Sequence, residues 1–439
     1  MTRELGIPVS RTSRLLHLGR LAGGIAGGAV AQGLRALGSG NMPAGSDLLL
    51  TPANARRLAD RLSELRGAAM KVGQLLSMEG GDLLPREFTD VLARLRDSAH
   101  SMPMLQLAAE LEAAWGEDWI DQFERFFFQP VAAASIGQVH RATTRDGRHL
   151  AIKVQYPGVK DSIDSDVDNV AALLRLFRLI PDPADLDPLL REAKRQLHEE
   201  ADYLAEASYL EAYRARTAGL QGIRVPRVDT ALTRQNVLVM EFLGGEPIET
   251  LAGRGASERN AVAARLLELF LKEVFEWGLV QTDANFSNYV YLPESGGVGL
   301  LDFGATRRYP ERNTRLYRRL LAAAIRGDRE ALMEAAGEVG YLGPGDPEVY
   351  RSTVCALLKA AAEPARALGS YDFGRSALAR RMTEQAVRLR VESRVWRMPP
   401  PEVLFLHRKL GGLYMLCTRL AASVNVGRLV EPYLAERAA

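Results

Sequence analysis

Two polar motifs flanking a short apolar segment constrain this chain more than any other feature. Asp283 and Asn288 form a D-x4-N loop, and Asp302 opens an Asp-Phe-Gly triplet 14 residues after Asn288. Between them, residues 289–292 and 298–301 are apolar runs around a turn at 294–297, a pattern that predicts a β-hairpin. Phosphoryl transfer needs an acid or amide pair to hold a divalent cation and one carboxylate near the reacting oxygen; these three side chains supply both. Each motif alone is common. A second triplet, Asp372, Phe373 and Gly374, has no apolar strand or D-x4-N loop before it and reads as coincidence.

Upstream lie the other parts such chemistry requires. Residues 131–140 predict a small-residue turn between two β-like runs, where Ala132, Ala133, Ala134 and Ser135 let backbone N–H groups approach an anion. Lys153 lies in the next apolar run, 150–155, where it can neutralise phosphate. The proline-free stretch 189–217 reads as one long helix carrying Glu199, Glu200, Asp202 and Glu206. On such a helix Asp202 and Glu206 share a face, with Glu200 about 120° from Glu206. An acidic face is ordinarily just solvated, but Lys153 between Ile152 and Val154 would otherwise be a stranded cation. Residues 237–245 read as a strand entering a turn. Backbone groups from Glu241 to Leu243 would bond an adenine edge and Met240 would line the pocket, although any sheet-edge strand looks similar. The ordered series of lysine strand, acidic helix, D-x4-N and strand-borne triplet is far more specific than its members, and describes a kinase-like nucleotide site.

Composition removes other classes. With 439 residues, 47% hydrophobic and 25% charged, the chain can bury a large core and is not disordered, collagen-like or a disulfide scaffold. Its 56 basic and 54 acidic residues are too balanced for a protein defined by nucleic-acid binding. Cys355 and Cys417 make no C-x-x-C site or staple network, so a reducing compartment is expected. No uncharged apolar run reaches the roughly 20 residues of a membrane-spanning helix. Residues 11–38 are basic, then apolar and glycine-rich. They fit a signal peptide, a mitochondrial-type targeting helix, a frayed tail or a membrane-apposed helix with a stripe at Gly19, Gly23 and Gly27; the stripe favours the last. Residues 41–52 read as a linker, 53–78 and 85–101 as helices, and everything beyond Glu311 as helix interrupted by Gly- and Pro-containing turns. The expected domains are 1–40, the glycine-striped helix; 41–120, a helical extension; 121–245, a small α+β lobe with one helix; and 246–439, a helical lobe.

With these residues the chain resembles the UbiB-like, aarF-domain atypical kinases, protein-kinase-like ATPases of ubiquinone biosynthesis. Residues 70–74, with Lys71 and Gln74, look like the family's K-x-G-Q signature, and Ala132–Ser135 like its Ala-rich loop. Glu200 and Asp202 match its E-x-D motif, and Glu206 stands where a glutamate pairs the strand lysine. Residues 281–288 and 301–307 are similar to the coenzyme Q branch. Gln281 stands where many members have histidine, and Ala284 where proline is usual.

The resemblance implies an α+β, two-lobe kinase-like fold with an N-terminal extension over the active site and a helix-rich C-terminal lobe. Lys71 and Gln74 would occupy the place where ordinary kinases bind protein substrates, with Lys71 meeting Glu200 or Asp202; without it Lys71 would read as a surface lysine. Lys153 would bind the α/β-phosphates of ATP, Asn288 and Asp302 would hold Mg2+, and Asp283 would orient or deprotonate the attacking oxygen. Cβ atoms on Ala132–Ala134 would restrict the loop and seat ATP unproductively for ordinary kinase chemistry. The leading reading is a Mg2+-dependent ATPase supporting ubiquinone synthesis. The alternatives are a nucleotide-gated pseudokinase that organises or delivers lipid intermediates, and a small-molecule or lipid kinase. Expected partners are ATP/ADP, a membrane lipid or quinone precursor, ubiquinone-biosynthesis enzymes and a second copy of the chain. The expected place is the cytoplasmic side of a bacterial inner membrane or the mitochondrial matrix face.

Overall fold

The computed structural model describes residues 68, 71–72, 102–176, 186–393 and 399–434. They divide into two compact units, Met1–Ser208 with Arg227–Phe242, and Tyr209–Pro226 with Leu243–Ala439. The expected N-terminal helix, the linker at 41–52, the helix at 85–101 and Gln74 lie outside the described residues. Within 53–78, Ala68, Lys71 and Val72 are described; they are helical and buried.

In the first unit, α1 (Met104–Trp115) follows Pro103 and buries Leu107 and Leu111, four apart on one face. It packs on an antiparallel sheet of β1 (Phe123–Ala133), β2 (Gly137–Thr144), β3 (His149–Gln155) and β4 (Val237–Glu241), in that spatial order. Trp119, Phe123, Phe126, Ile152, Val154 and Val239 fill the core between them. The central strand β3 is buried at every position after His149, so its polar residues need partners. Gln155 finds one in the Ala201 carbonyl, at 2.8 Å.

Helices α2 (Val159–Leu176), α3 (Leu186–Glu200) and α4 (Tyr203–Thr217) follow the sheet in sequence. Three helices therefore stand where one was expected. The stretch 189–217 breaks at Ala201–Asp202, because Asp202 accepts the Ala205 N–H at 2.9 Å and starts a new helix as its cap. Glu200 and Glu206 lie on different helices, and their expected angular relation does not hold. The small-residue turn is also shorter than expected. Ala132 and Ala133 remain in β1, paired with Val139 and Gln138, and the turn is confined to residues 134–136, closed by Ala134 N–H to the Gly137 carbonyl at 2.8 Å.

The second unit takes the rest of α4, then α5 (Ala256–Lys272), which runs into a π-helical turn at Glu273–Trp277. β5 (Leu279–Gln281) pairs with β8 (Thr306–Arg308), and between them β6 (Tyr289–Leu292) and β7 (Gly297–Leu300) form the expected hairpin, Tyr289 opposite Leu300. Helices α6 (Glu311–Arg326), α7 (Arg329–Val339), α8 (Glu348–Ala361), α9 (Leu378–Ser393), α10 (Pro401–Arg419) and α11 (Val426–Leu434) complete it. The expected all-helical tail is interrupted by a two-residue ladder, Tyr371–Asp372 with Ser423–Val424. Asp372 there accepts the N–H groups of Gly374 and Arg375, a turn chemistry that accounts for the second triplet. Among the described residues no helix is long and apolar enough to cross a membrane.

Two predictions follow from the sheet. A Cβ on Gly137 would lie 2.3 Å from the Val154 carbonyl oxygen, so Gly137→Ala should lower stability by about 1–3 kcal/mol in urea unfolding; an unchanged midpoint refutes this. His140 is fully buried, bonded to the Phe127 carbonyl at 3.0 Å and to the Gln138 side-chain nitrogen at 2.8 Å. Gln138 uses its oxygen for the Met102 N–H, so the neutral ring donates from Nδ1 and accepts at Nε2. Burial holds the ring below the ordinary histidine value, against the Phe127 bond. Its contribution is intact above the unfolded value of about 6.5 and is lost as pH falls from there through the folded one. An NMR titration of the folded chain should therefore show His140 protonating only below the ordinary histidine value; a midpoint at or above it rules this out.

Candidate nucleotide site

The first unit places its candidate residues around two buried lysines. Lys153 donates to both oxygens of Glu206, at 2.9 and 3.0 Å, with 9% and 1% of the two side chains exposed. Its ammonium also stands 5.1 Å from the centre of the Tyr203 ring. Glu206 sits in the first turn of α4, where the helix dipole favours a carboxylate. Lys71 pairs with Glu200 Oε1, and Ser135 of the turn donates to Glu200 Oε2 at 2.6 Å. Glu200 therefore ties the 71–72 helix segment to the Ala-rich turn, while Asp202 serves as a helix cap.

The sheet claims part of the expected adenine edge. Met240 is buried in β4, opposite Ala151, and the N–H groups of Glu241 and Phe242 bond the carbonyls of Arg227 and His149, at 2.8 and 2.9 Å. Leu243, also buried, begins the next stretch of the second unit. A cleft of about 1020 Å³ in the first unit is bordered by Arg148, Asp229 and Glu241, away from Lys153.

In the second unit the hairpin brings the chain at Asn288 and at Leu301–Asp302 together. The Leu301 N–H bonds the Asn288 carbonyl at 3.0 Å, so Asn288 and Asp302 leave the same end of the β6–β7 ladder. Asn288 Nδ2 donates to the Asp283 carbonyl at 3.1 Å and to Asp283 Oδ2 at 3.2 Å. Asp302 Oδ1 accepts the Gly304 N–H at 3.0 Å. Gln281 joins both motifs, its Nε2 donating to the carbonyls of Asp283 and Asp302 at 2.8 and 3.1 Å.

Sequence reasoning missed what holds this arrangement. Lys409 of α10, 2% exposed, donates to Gln281 Oε1 at 2.8 Å and the Tyr289 hydroxyl at 3.0 Å, and stands 3.7 Å from Glu273. The Tyr213 hydroxyl donates to Glu273 at 2.8 Å. Burial alone would lower Lys409, but Glu273 and the Tyr289 oxygen outweigh it and hold the ammonium above its usual value. Burial pushes the Glu273 carboxyl up, opposed first by Lys409 and then by the Tyr213 bond. Arg408, next to Lys409, pairs with Asp283 Oδ1 at 2.5 Å. The signal was present in the sequence: Lys409 falls in the apolar stripe of Val403, Leu406, Leu413 and Leu416.

Removing one partner of this buried pair leaves an uncompensated charge. Lys409→Met should cost about 3–5 kcal/mol in urea unfolding, and adding Glu273→Gln should recover most of it. Simple additivity of the two losses would contradict the pairing.

Comparison with known proteins places the chain. The model of the ABC1 atypical kinase-like domain matches residues 94–336. Rat mitochondrial atypical kinase COQ8B is 37% identical over 425 residues, 96% of this chain and 80% of that protein. Yeast mitochondrial atypical kinase COQ8 is 34% identical over 442 residues, covering 99% and 86%. The Caenorhabditis elegans protein coq-8 is 35% identical over 437 residues, but this chain spans 58% of its length. Among solved structures, the Rv3197–erythromycin complex from Mycobacterium tuberculosis superposes with a TM-score of 0.62 at 26% identity, over 88% of this chain and 97% of that one. The chain has a protein-kinase-like fold and belongs to the ABC1 atypical kinase-like family.

Proposed function

We propose that this chain is a Mg2+-dependent ATPase of the atypical kinase type that supports ubiquinone biosynthesis at a membrane surface. The observation that carries the reading is the Asp283–Asn288–Asp302 group, held by hydrogen bonds at one end of a hairpin. Its oxygen donors suit Mg2+, which is typically bound by one or two side chains together with phosphate oxygens and water. Asn288 and Asp302 would hold the ion, which when bound offsets phosphate charge. Lys153, steadied by Glu206, neutralises the α/β-phosphates. Asp283 accepts the proton of the attacking hydroxyl or water. The Leu243 N–H serves the adenine edge, since the sheet occupies those of Glu241 and Phe242. Kinship with proteins named as mitochondrial COQ8 kinases supports the role in ubiquinone synthesis, and with it action on the matrix face of the inner membrane or its bacterial counterpart.

A second reading, nucleotide-gated delivery of a lipid intermediate, draws on the Lys71–Glu200–Ser135 contact, which ties the extension to the Ala-rich turn. Phosphate release with liposomes separates the two. On the ATPase reading, release requires Mg2+ and falls at least about 100-fold in Asp283→Asn. Equal release from both proteins would sink that reading.

A further inference from the structure

The face of α10 opposite the catalytic loop carries more than the buried Lys409. Arg408 reaches Asp283 Oδ1 while Asn288 holds Oδ2, so both carboxylate oxygens are engaged. Four residues on, on the same helical face, Gly412 lies directly against the loop. A Cβ built there would come within 2.5 Å of the Ala284 Cβ and 3.1 Å of its carbonyl oxygen. The neighbouring Gly411 has nothing within 4 Å of its would-be Cβ. Helix interiors disfavour glycine by about 1 kcal/mol relative to alanine, and the close approach supplies a reason for Gly412 that is absent for Gly411.

We propose that Arg408 is a positioning residue for Asp283, and that Gly412 brings α10 close enough for the guanidinium to hold that carboxylate. This rests on reading Asp283 as the group that faces the attacking oxygen. A carboxylate free to turn about its Cβ–Cγ bond directs its lone pairs over a wide arc. One fixed at both oxygens presents them in a single direction, and misplacement on the ångström scale is enough to cost rate. Arg408 thus acts on turnover through Asp283, without contributing to nucleotide affinity.

The test compares the full-length chain with Arg408→Gln, Arg408→Lys, Gly412→Ala and the control Gly411→Ala. The readouts are ATP turnover with liposomes, Mg-ATP affinity, melting temperature and amide hydrogen exchange over residues 283–288. Arg408→Gln and Gly412→Ala should each lower kcat at least about 10-fold, keep Mg-ATP affinity within about 3-fold, and speed exchange in the loop. Arg408→Lys, which keeps the charge, should recover part of the rate, and Gly411→Ala should match the native chain in kcat and loop exchange, with a melting temperature no lower. The double variant Arg408→Gln/Gly412→Ala should be no worse than the poorer single one, because both act through one geometry. Native kcat and native exchange in Arg408→Gln, multiplying losses in the double variant, or an equal loss in Gly411→Ala would overturn the proposal. If the native chain turns over no ATP, the ATPase reading fails, and loop exchange in Arg408→Gln and Gly412→Ala still decides the positioning role.

Discussion

An ammonium group taken out of water has to bring its counter-charge with it, and three lysines here are in that position. Lys71, Lys153 and Lys409 are 4%, 7% and 2% exposed, and each faces a glutamate: Glu200, Glu206 and Glu273. Stripping water from such a pair costs several kcal/mol per ion, returned only with good geometry and further hydrogen bonds. Each pair is therefore weak as a source of stability and strong as a constraint on register. Lys153 fixes where α4 stands against the sheet, and Lys409 fixes where α10 stands against the loop that carries Asp283.

That loop is organised from beneath by a neutral amide. Gln281 donates twice, to the carbonyls of Asp283 and Asp302, and accepts once, from Lys409. A neutral imidazole offers one donor and one acceptor and could not make all three bonds. The two departures from the family pattern, at 281 and 284, have one physical setting: both residues face α10, one bonded to Lys409 and the other lying under Gly412.

Several features were legible because they depend on short-range chemistry. The apolar runs 289–292 and 298–301 around a turn pointed to the hairpin, and the apolar surroundings of Lys153 demanded an acidic partner. Local reading failed where a neighbour remote in sequence decided the outcome. Residues 189–217 have helical propensity throughout, yet Gln155, 46 positions away, bonds the Ala201 carbonyl at the point where they divide. Ala132 and Ala133 read as turn residues, yet pairing with β2 keeps them extended.

The sequence by itself determined the chemistry on offer: the lysine strand, the acids, the amide and the order in which they occur. It did so because side-chain type and near-neighbour spacing survive without coordinates. Only the tertiary structure decided that Lys71 meets Glu200 and not Asp202, that Lys409 meets Glu273, and that Arg408 and Gly412 belong to the loop of Asp283. Those pairings join residues up to 136 positions apart, as from Glu273 to Lys409. No local pattern encodes them, because desolvation acts on whatever the folded chain brings near.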